Sequence, residues 1–417
     1  MAEGSGPLAG LRVLDLTRVL VGPYATMLLG ELGAEVIKVE RPGEGDESRT
    51  IPPLEHGESH YFLSVNKCKK GIAVDMKRPE GREIVIELAR RADVLVENFR
   101  PGVVDRLELG WNALSALNPR LVYCSISAFG ATGPYAQRSA FDIAVQAMSG
   151  AMSVTGEPEG PPTRMGLPMA DLAGGLFAVI GIQAALLERE RTGRGQFVDL
   201  SMLDAMVSLL MYNAGRVFMT GEDPEKTGTG HASVVPYGAF ECADGWIVLA
   251  NFGDGFWTKI CAALGFPEMA HDARYDTNAK RIERRAEVEA MVTAAFRRKD
   301  VGEWDRILEE ADVPHAPILS VSEVLDHPQV RARGMVVEVE HATLGRWRAL
   351  GPAIRFPGGA EDGGQRAAPV LGQHTDEILR DLLGYPPELI RRLSADAVIQ
   401  TWPEQPPDKA TAPSRRA

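Results

Sequence analysis

Asp171 is the side chain around which chemistry in this chain must be sought. It lies in GLPMADLAGG (166–175), at the head of the most apolar stretch, where across 172–187 only Gln183 has a polar side chain. ERERTGRG (188–195) returns the chain to water, and Gly193 is placed as a helix stop. The pattern predicts a buried helix with a carboxylate in its first turn, where backbone N–H groups and the helix dipole favour negative charge. Gly174 and Gly175 keep side-chain bulk away from that turn. Taken alone, such an aspartate reads most simply as an N-cap, because Asp is among the preferred capping residues. A second group of residues argues for more. Arg18 follows the first apolar run, Arg41 the second, Lys77 and Arg78 the third, and Asn98, Phe99 and Arg100 the fourth; Arg106 and Arg138 come soon after. Each cation singly is an ordinary surface charge. Gathered at the C-terminal edge of a parallel sheet, they suit a ligand with several phosphates and a flat base, with Phe99 offering apolar contact.

The elements that would position these groups follow from apolar patterning. LRVLDL (11–16), AEVIKVE (34–40), GIAVD (71–75), DVLVEN (93–98), LVYCSIS (121–127) and QFVDLSM (196–202) read as strands. Helices are predicted at 25–33, 78–91, 141–150 and 203–219, the second opening on Pro79. Alternation of the two predicts an α/β fold, a Rossmann-like parallel sheet forming a large domain. Its N-terminal part is placed at 8–220. The polar, Gly- and Pro-containing stretch 220–236 opens a smaller α+β domain at 221–330, with a hairpin at 237–251 and helices near 254–264, 284–297 and 301–311. Residues 331–400, with a hairpin at 334–350 and helices at 375–384 and 387–395, return to the large domain. Residues 401–417 are Pro-rich, charged and expected to be a disordered tail.

Composition and missing motifs exclude several function classes. The 417 residues carry a net charge of −12, which argues against nucleic-acid and membrane partners because both need a basic face. Cys68, Cys124, Cys242 and Cys261 are widely spaced and read as reduced structural thiols. No secretory pattern opens the sequence and the longest apolar run is short for a membrane span, so a cytoplasmic location is expected. The eight histidines show no metal-binding spacing, and no metal is expected. A dinucleotide dehydrogenase is rejected: the first loop carries only Gly22 where G-x-G-x-x-G is needed, despite Glu40 at the end of the second strand. Neither a G-x-S-x-G elbow nor a phosphate-binding P-loop occurs.

Long collinear segments resemble a known family. They are 15–49, NKCKKGIAVDMKRPEG (66–81), VENFRPGVVDRLELG (96–110), SAFDIAVQAMSG (139–150), GLPMADLAGG and TGRGQFVDLSMLDAM (192–206). Together they resemble the class III CoA-transferases, the family that includes formyl-CoA and carnitine CoA-transferases and α-methylacyl-CoA racemases, over about residues 8–395. The resemblance implies that Asp171 is the nucleophile and that CoA contacts fall on Leu20, Val21, Arg41, Val74, Lys77, Asn98, Phe99, Arg100, Arg106, Ser139 and Asp142. Arg18 joins them from its place after the first strand. It further implies a homodimer of interlocked ring-shaped subunits, CoA carried as substrate with no bound cofactor, and acyl-CoA and carboxylic acids as partners. The implied reaction moves CoA from an acyl-CoA to a free acid through an aspartyl mixed anhydride and an aspartyl-CoA thioester. KTGTGH (226–231) is a diluted form of the glycine-rich lid seen in such transferases, and Gly228 and Gly230 are candidates to stabilise an oxyanion.

Two other readings stay open. A racemase needs a base on each side of the α-carbon, and similar racemases place a His directly before the acid of the FDIA segment. Here that position is Phe141, which cannot accept a proton. A non-catalytic CoA-binding protein would retain Asp171 only as a cap. Arg164, His231 and Tyr237 are candidates to meet a substrate carboxylate, which favours a dicarboxylate pair such as succinyl-CoA with a second diacid.

Overall fold

The computed structural model describes residues 6–251, 253–356 and 365–402. From residue 403 onward the expected tail lies outside the described residues.

Apolar runs at the N-terminal half become the central sheet. Its strands are β1 (Arg12–Asp15), β2 (Glu35–Glu40), β3 (Lys69–Val74), β4 (Val94–Glu97), β5 (Val122–Ser127) and β6 (Phe197–Ser201), ordered β3-β2-β1-β4-β5-β6 with every neighbouring pair parallel. A short strand, Ile399–Gln400, adds antiparallel to β3. The fold is therefore mixed α/β with a mostly parallel sheet. Val13 pairs with Val36 on one side and Val94 on the other, so β1 lies centrally and the chain winds outward from it both ways. The loops after β1 and β4 diverge there, which opens a crevice at the switch in strand order.

Five helices matter for the site: α1 (Val21–Glu31), α2 (Pro79–Arg91), α3 (Asp142–Met148), α4 (Met169–Thr192) and α5 (Met202–Ser208). Pro79 opens α2 and Arg90 and Arg91 close it, matching the donor-free start and the helix dipole. Its Ile84, Val85 and Leu88 pack with Leu14, Ile37, Ile72 and Leu95 of the sheet. The apolar run at 172–187 is only the middle of α4, which extends to 24 residues and stops where Gly193 turns left-handed at φ 73°. By length and composition alone α4 is apolar enough to cross a membrane, but half of its most apolar window is buried, as in a core helix. Gly174 and Gly175 have a packing role. A Cβ on Gly175 would lie 2.8 Å from Tyr24 Cδ1 and 3.0 Å from the Val21 carbonyl oxygen, so the glycines let α4 cross tightly over α1.

The predicted helix at 203–219 is two helices, α5 and Tyr212–Thr220, with Met211 at φ 41° between them. Neither Gly nor Pro marks the break, and apolar residues run straight across it, so the sequence holds no stop signal there. The helix predicted at 375–384 is one short turn, Thr375–Glu377, followed by a wider π-helical turn, Ile378–Leu382.

By contacts the chain forms two compact units. The first takes residues up to Ser149, Leu167–Leu209 and from Pro328 onward. It holds the main sheet and the hairpin Val336–His341 and Gly345–Leu350. The second takes Gly150–Gly166 and Leu210–His327. It folds a three-stranded antiparallel sheet against helices Asp254–Leu264, Arg285–Phe296 and Val301–Glu310, around Phe240, Ile247, Trp257, Phe296 and Trp304.

Three lysines interrupt the apolar texture of β2 and β3, and two of them, Lys38 and Lys69, have fully buried side chains. Lys38 Nζ donates to Asp46 Oδ2 at 2.9 Å and to the Thr17 carbonyl at 2.8 Å. Lys69 Nζ donates to Asp15 Oδ2, the Pro23 carbonyl and Asn66 Oδ1, each at 2.9 Å. Burial holds the Lys69 ammonium down, to about 8, against the pull of Asp15. Removing one member of a buried pair strands the other charge, which costs about 3–5 kcal/mol. Lys38→Met should therefore lose about that much stability in urea unfolding, while Arg191→Met, which breaks an exposed pair with Glu188, should stay within about 0.5 kcal/mol of the parent.

Candidate active site

The crevice at the switch in strand order is built by two cross-tied loops. Arg18 N–H donates to Asn98 Oδ1 and Asn98 Nδ2 donates to the Arg18 carbonyl, both at 2.8 Å. The next residue, Val19, has φ 67°, a left-handed conformation that a β-branched side chain rarely adopts. Its N–H is held by Asp46, which is itself held by Lys38 and Ser48. Strain of this kind persists only where surrounding contacts over-determine it. Here it turns Leu20 and the head of α1 into a cavity of about 390 Å³, whose wall also includes Asn98, Phe99, Arg100, Phe141, Met202 and Asp171. A second cavity of about 440 Å³ runs over the ends of β1, β2 and β3 past Arg41, Val74 and Lys77, sharing Arg18, Glu47 and Phe99 with the first.

Asp171 sits in the first turn of α4, but it is not the cap. Pro168 occupies the N-cap position and its side chain accepts nothing. The half-buried Asp171 carboxylate accepts no hydrogen bond among the described residues. Its backbone N–H, at 3.3 Å, and that of Ala170, at 2.8 Å, both donate to Asp142 Oδ1. Burial, followed by the negative charge of Asp142, pushes the Asp171 carboxyl up to about 7. A carboxylate with raised basicity, little solvation and no competing donor is a far better nucleophile than one in water.

The structure brings most of the sequence candidates together and separates others. Arg18, Leu20, Val21, Asn98, Phe99, Arg100 and Ser139 line the first cavity with Asp171, and Arg41, Val74 and Lys77 line the second. Arg106 lies on the surface outside both linings. Asn98 spends its polar atoms on backbone groups of the protein itself, and Asp142 spends its own on the Ala170 and Asp171 amides and the Gln146 side chain. The edge is also less basic than a count of cations implies. Arg18 pairs with Glu47 at 2.6 Å and Arg41 with Glu44 at 2.7 Å, while Arg138 lies over the Tyr135 ring. These carboxylate pairs are exposed and weak, so a phosphate can displace them. Lys77, Arg100 and Arg106 have no carboxylate partner among the described residues. Arg164, His231 and Tyr237 belong to the second unit, where the His231 and Tyr237 rings lie 5.4 Å apart. Gly228, at φ 58°, and Gly230 form a turn in that unit, with Gly228 N–H donating to the Gly156 carbonyl at 3.1 Å. All four cysteines are free and buried. The described residues hold no cluster of three or more His, Cys, Asp or Glu able to share a metal ion.

Sequence reasoning missed Tyr61. Burial first, and then the charges of Asp171, Asp46 and Asp142, hold its phenol up at about 12, which places it within their field. It comes from a short helix, His60–Val65, remote in sequence from Asp142 and Asp171, and no local motif marks it.

Residues 8–375 match the family model described as CoA-transferase family III. The chain belongs to CoA-transferase family III. It is an enzyme of the transferase class, and its relatives span several acid chemistries. The succinyl-CoA:glutarate CoA-transferase of Mus musculus is 42% identical over 395 residues, 94% of this chain and 90% of that one. The acetyl-CoA:oxalate CoA-transferase of Acetobacter aceti is 41% identical over 81% of this chain and 87% of its own. The crystal structure of a CAIB/BAIF family protein from Brucella suis superposes with a TM-score of 0.82 at 37% identity, covering 91% of this chain and all (100%) of that one.

The raised carboxyl of this transferase has a thermodynamic signature. Asp171 titrates near 7 when folded against 3.8 ordinarily, so the folded state holds the proton more tightly. The resulting stability is fully present below pH 3.8 and is lost as pH rises through about 7. Asp171→Asn has no such proton to lose. Its Tm should rise relative to the parent by a few degrees as pH goes from about 4 to about 7 and level off above that, as followed by thermal unfolding across the range.

Proposed function

We propose that this transferase moves CoA from succinyl-CoA to a second dicarboxylic acid, with Asp171 as the covalent nucleophile. The observation that carries the reading is the half-buried Asp171 carboxylate, without a hydrogen bond, at the wall of a cavity that continues into a cation-bearing groove. The names of the relatives, succinyl-CoA:glutarate CoA-transferase among them, support the choice of donor and acceptor.

The nucleotide end of CoA lies along the groove of Arg41, Val74 and Lys77, and its pantetheine passes Leu20, Val21, Phe99 and Arg100 to reach Asp171. Asp171 attacks the thioester carbonyl, and collapse of the tetrahedral adduct expels CoA thiolate and leaves a succinyl-aspartyl anhydride. The tethered thiolate attacks the aspartyl carbonyl, releases succinate and forms an aspartyl-CoA thioester. The acceptor carboxylate then attacks that thioester, giving a second anhydride and thiolate again. Attack of thiolate on the acceptor's carbonyl releases the new acyl-CoA and restores Asp171. One thioester replaces another, so no ATP is needed. Retaining CoA through its phosphates keeps the thiolate at high effective concentration during two of these steps.

A racemase reading is disfavoured by Phe141, which lines the cavity beside Asp171 where a second base would be required. We also take the working enzyme to be a homodimer. Supporting this, Leu176, Ile180 and Leu187 form an exposed apolar stripe along α4, 47%, 59% and 71% exposed, which an isolated soluble chain rarely leaves open.

Incubation with succinyl-CoA and labelled glutarate should yield labelled glutaryl-CoA and free succinate, with no α-hydrogen washed into solvent. Asp171→Ala should lower kcat at least about a thousandfold and leave CoA affinity within about threefold. Hydroxylamine quenching of the turning-over enzyme should mark the Asp171 peptide in mass spectrometry. An unmarked peptide from an active enzyme would falsify the assignment.

A further inference from the structure

The head of α4 presents an unusual accounting problem. The first N–H groups of a helix need acceptors, and Pro168 at the N-cap supplies no side-chain oxygen. An acid at the third helical position, where Asp171 stands, would ordinarily fold back toward the free end of its own helix. That seat is taken. Asp142 Oδ1, from the first turn of α3, accepts from Ala170 at 2.8 Å and from Asp171 at 3.3 Å. Its other oxygen accepts from Gln146 Nε2 at 2.7 Å, and Gln146 is fully buried. Both oxygens of Asp142 are thus committed to protein groups, which leaves it poorly placed to serve as the CoA contact expected from sequence.

We propose that Asp142 is a positioning residue: an N-cap supplied to α4 from another helix, which fills the head of α4 and so leaves the Asp171 carboxylate turned out and unbonded for attack. This rests on the reading of Asp171 as nucleophile. Asp142 acts on Asp171 in two separable ways. Its oxygen fixes the backbone of Ala170 and Asp171, and therefore the direction of the reactive side chain. Its charge keeps a second negative charge unwelcome on Asp171, adding to the effect of burial. The other groups facing Asp171 do not duplicate this. Tyr61, from the helix His60–Val65, is a neutral phenol at working pH, and Arg18, Glu47, Arg100 and Arg138, from the loops lining the cavity, make no hydrogen bond to the Asp171 carboxylate among the described residues. An aspartate whose neighbour both aims it and raises its basicity has the two properties a carboxylate nucleophile lacks in water.

Two substitutions separate the roles. Asp142→Asn keeps an oxygen for the amides and removes the charge, whereas Asp142→Ala removes both. The ionisation of Asp171 is read without turnover, from the pH dependence of its labelling by a water-soluble carbodiimide and a small amine, followed on the Asp171 peptide by mass spectrometry. In Asp142→Asn the labelling midpoint should fall by about one pH unit or more, and the acid limb of kcat/KM should move down with it. CoA binding by titration calorimetry should stay within about twofold. Asp142→Ala should lower kcat at least about tenfold with KM for succinyl-CoA within about threefold, and Asp142→Asn should restore most of that loss at pH 8. An unmoved labelling midpoint in Asp142→Asn, or CoA affinity weakened about tenfold in either variant, would overturn the proposal, the latter making Asp142 a ligand contact after all. An active parent enzyme whose Asp171 peptide stays unmarked by hydroxylamine, but whose labelling midpoint still moves on Asp142→Asn, would sink the nucleophile reading and keep the cap.

Discussion

Two buried ion pairs, Lys38 with Asp46 and Lys69 with Asp15, fix the geometry on which the crevice depends. Burying unpaired charge is prohibitively costly, so each lysine must find its carboxylate, and each also takes a backbone carbonyl, of Thr17 or of Pro23. Those two carbonyls bracket the loop after β1. Between them the chain has no freedom to relax, and Val19 stays in a conformation it would leave if released. Such pairs do not by themselves make a protein more stable than a well-packed apolar core would. Their use here is specificity: they hold one loop in one shape.

That shape brings the heads of two helices to a common point. The loop delivers α1, and the glycines at 174 and 175 let α4 cross it with its first turn beside the same cavity. A carboxylate on a rigid helix is aimed better than one on a free loop, since its direction is set by packing along the whole element. The loops that line the two cavities arrive from the C-terminal ends of the strands, where the winding of the sheet leaves a gap in any case. Site and scaffold therefore follow from a single topological choice, the reversal of strand order at β1.

Much of this was legible in the sequence because it depends on local pattern. The strands are near-continuous apolar runs, as expected when helices cover both faces of a sheet, and their limits agree with the apolar patterning within about two residues. Asp171 stood out because it heads the most apolar stretch of the chain and falls in a segment that carries the family resemblance. What stayed hidden depends on groups distant in the chain. The bond from Asp142 to Ala170 exists only once α3 and α4 have packed, so Asp142 looked like one more polar residue beside a ligand. Tyr61 reaches the field of Asp171 only through the tertiary fold. The cations were visible, but Glu47, which partners Arg18, was not, and so the charge of the groove read higher than it is. The break before Tyr212 is invisible for another reason: the residues that form it are as apolar as those of the helices it separates.

The bond joining Asp142 to the head of α4 also spans a detour in the chain. Residues 150–166 leave the first unit after Ser149, and the chain re-enters it at Leu167. The link from α3 to α4 closes the neck of that detour like a drawstring, with both of its ends inside the same unit. The length and composition of the excursion are thereby decoupled from the direction of the Asp171 side chain. Descendants of one ancestor could rewrite those residues without rebuilding the link between the two helices.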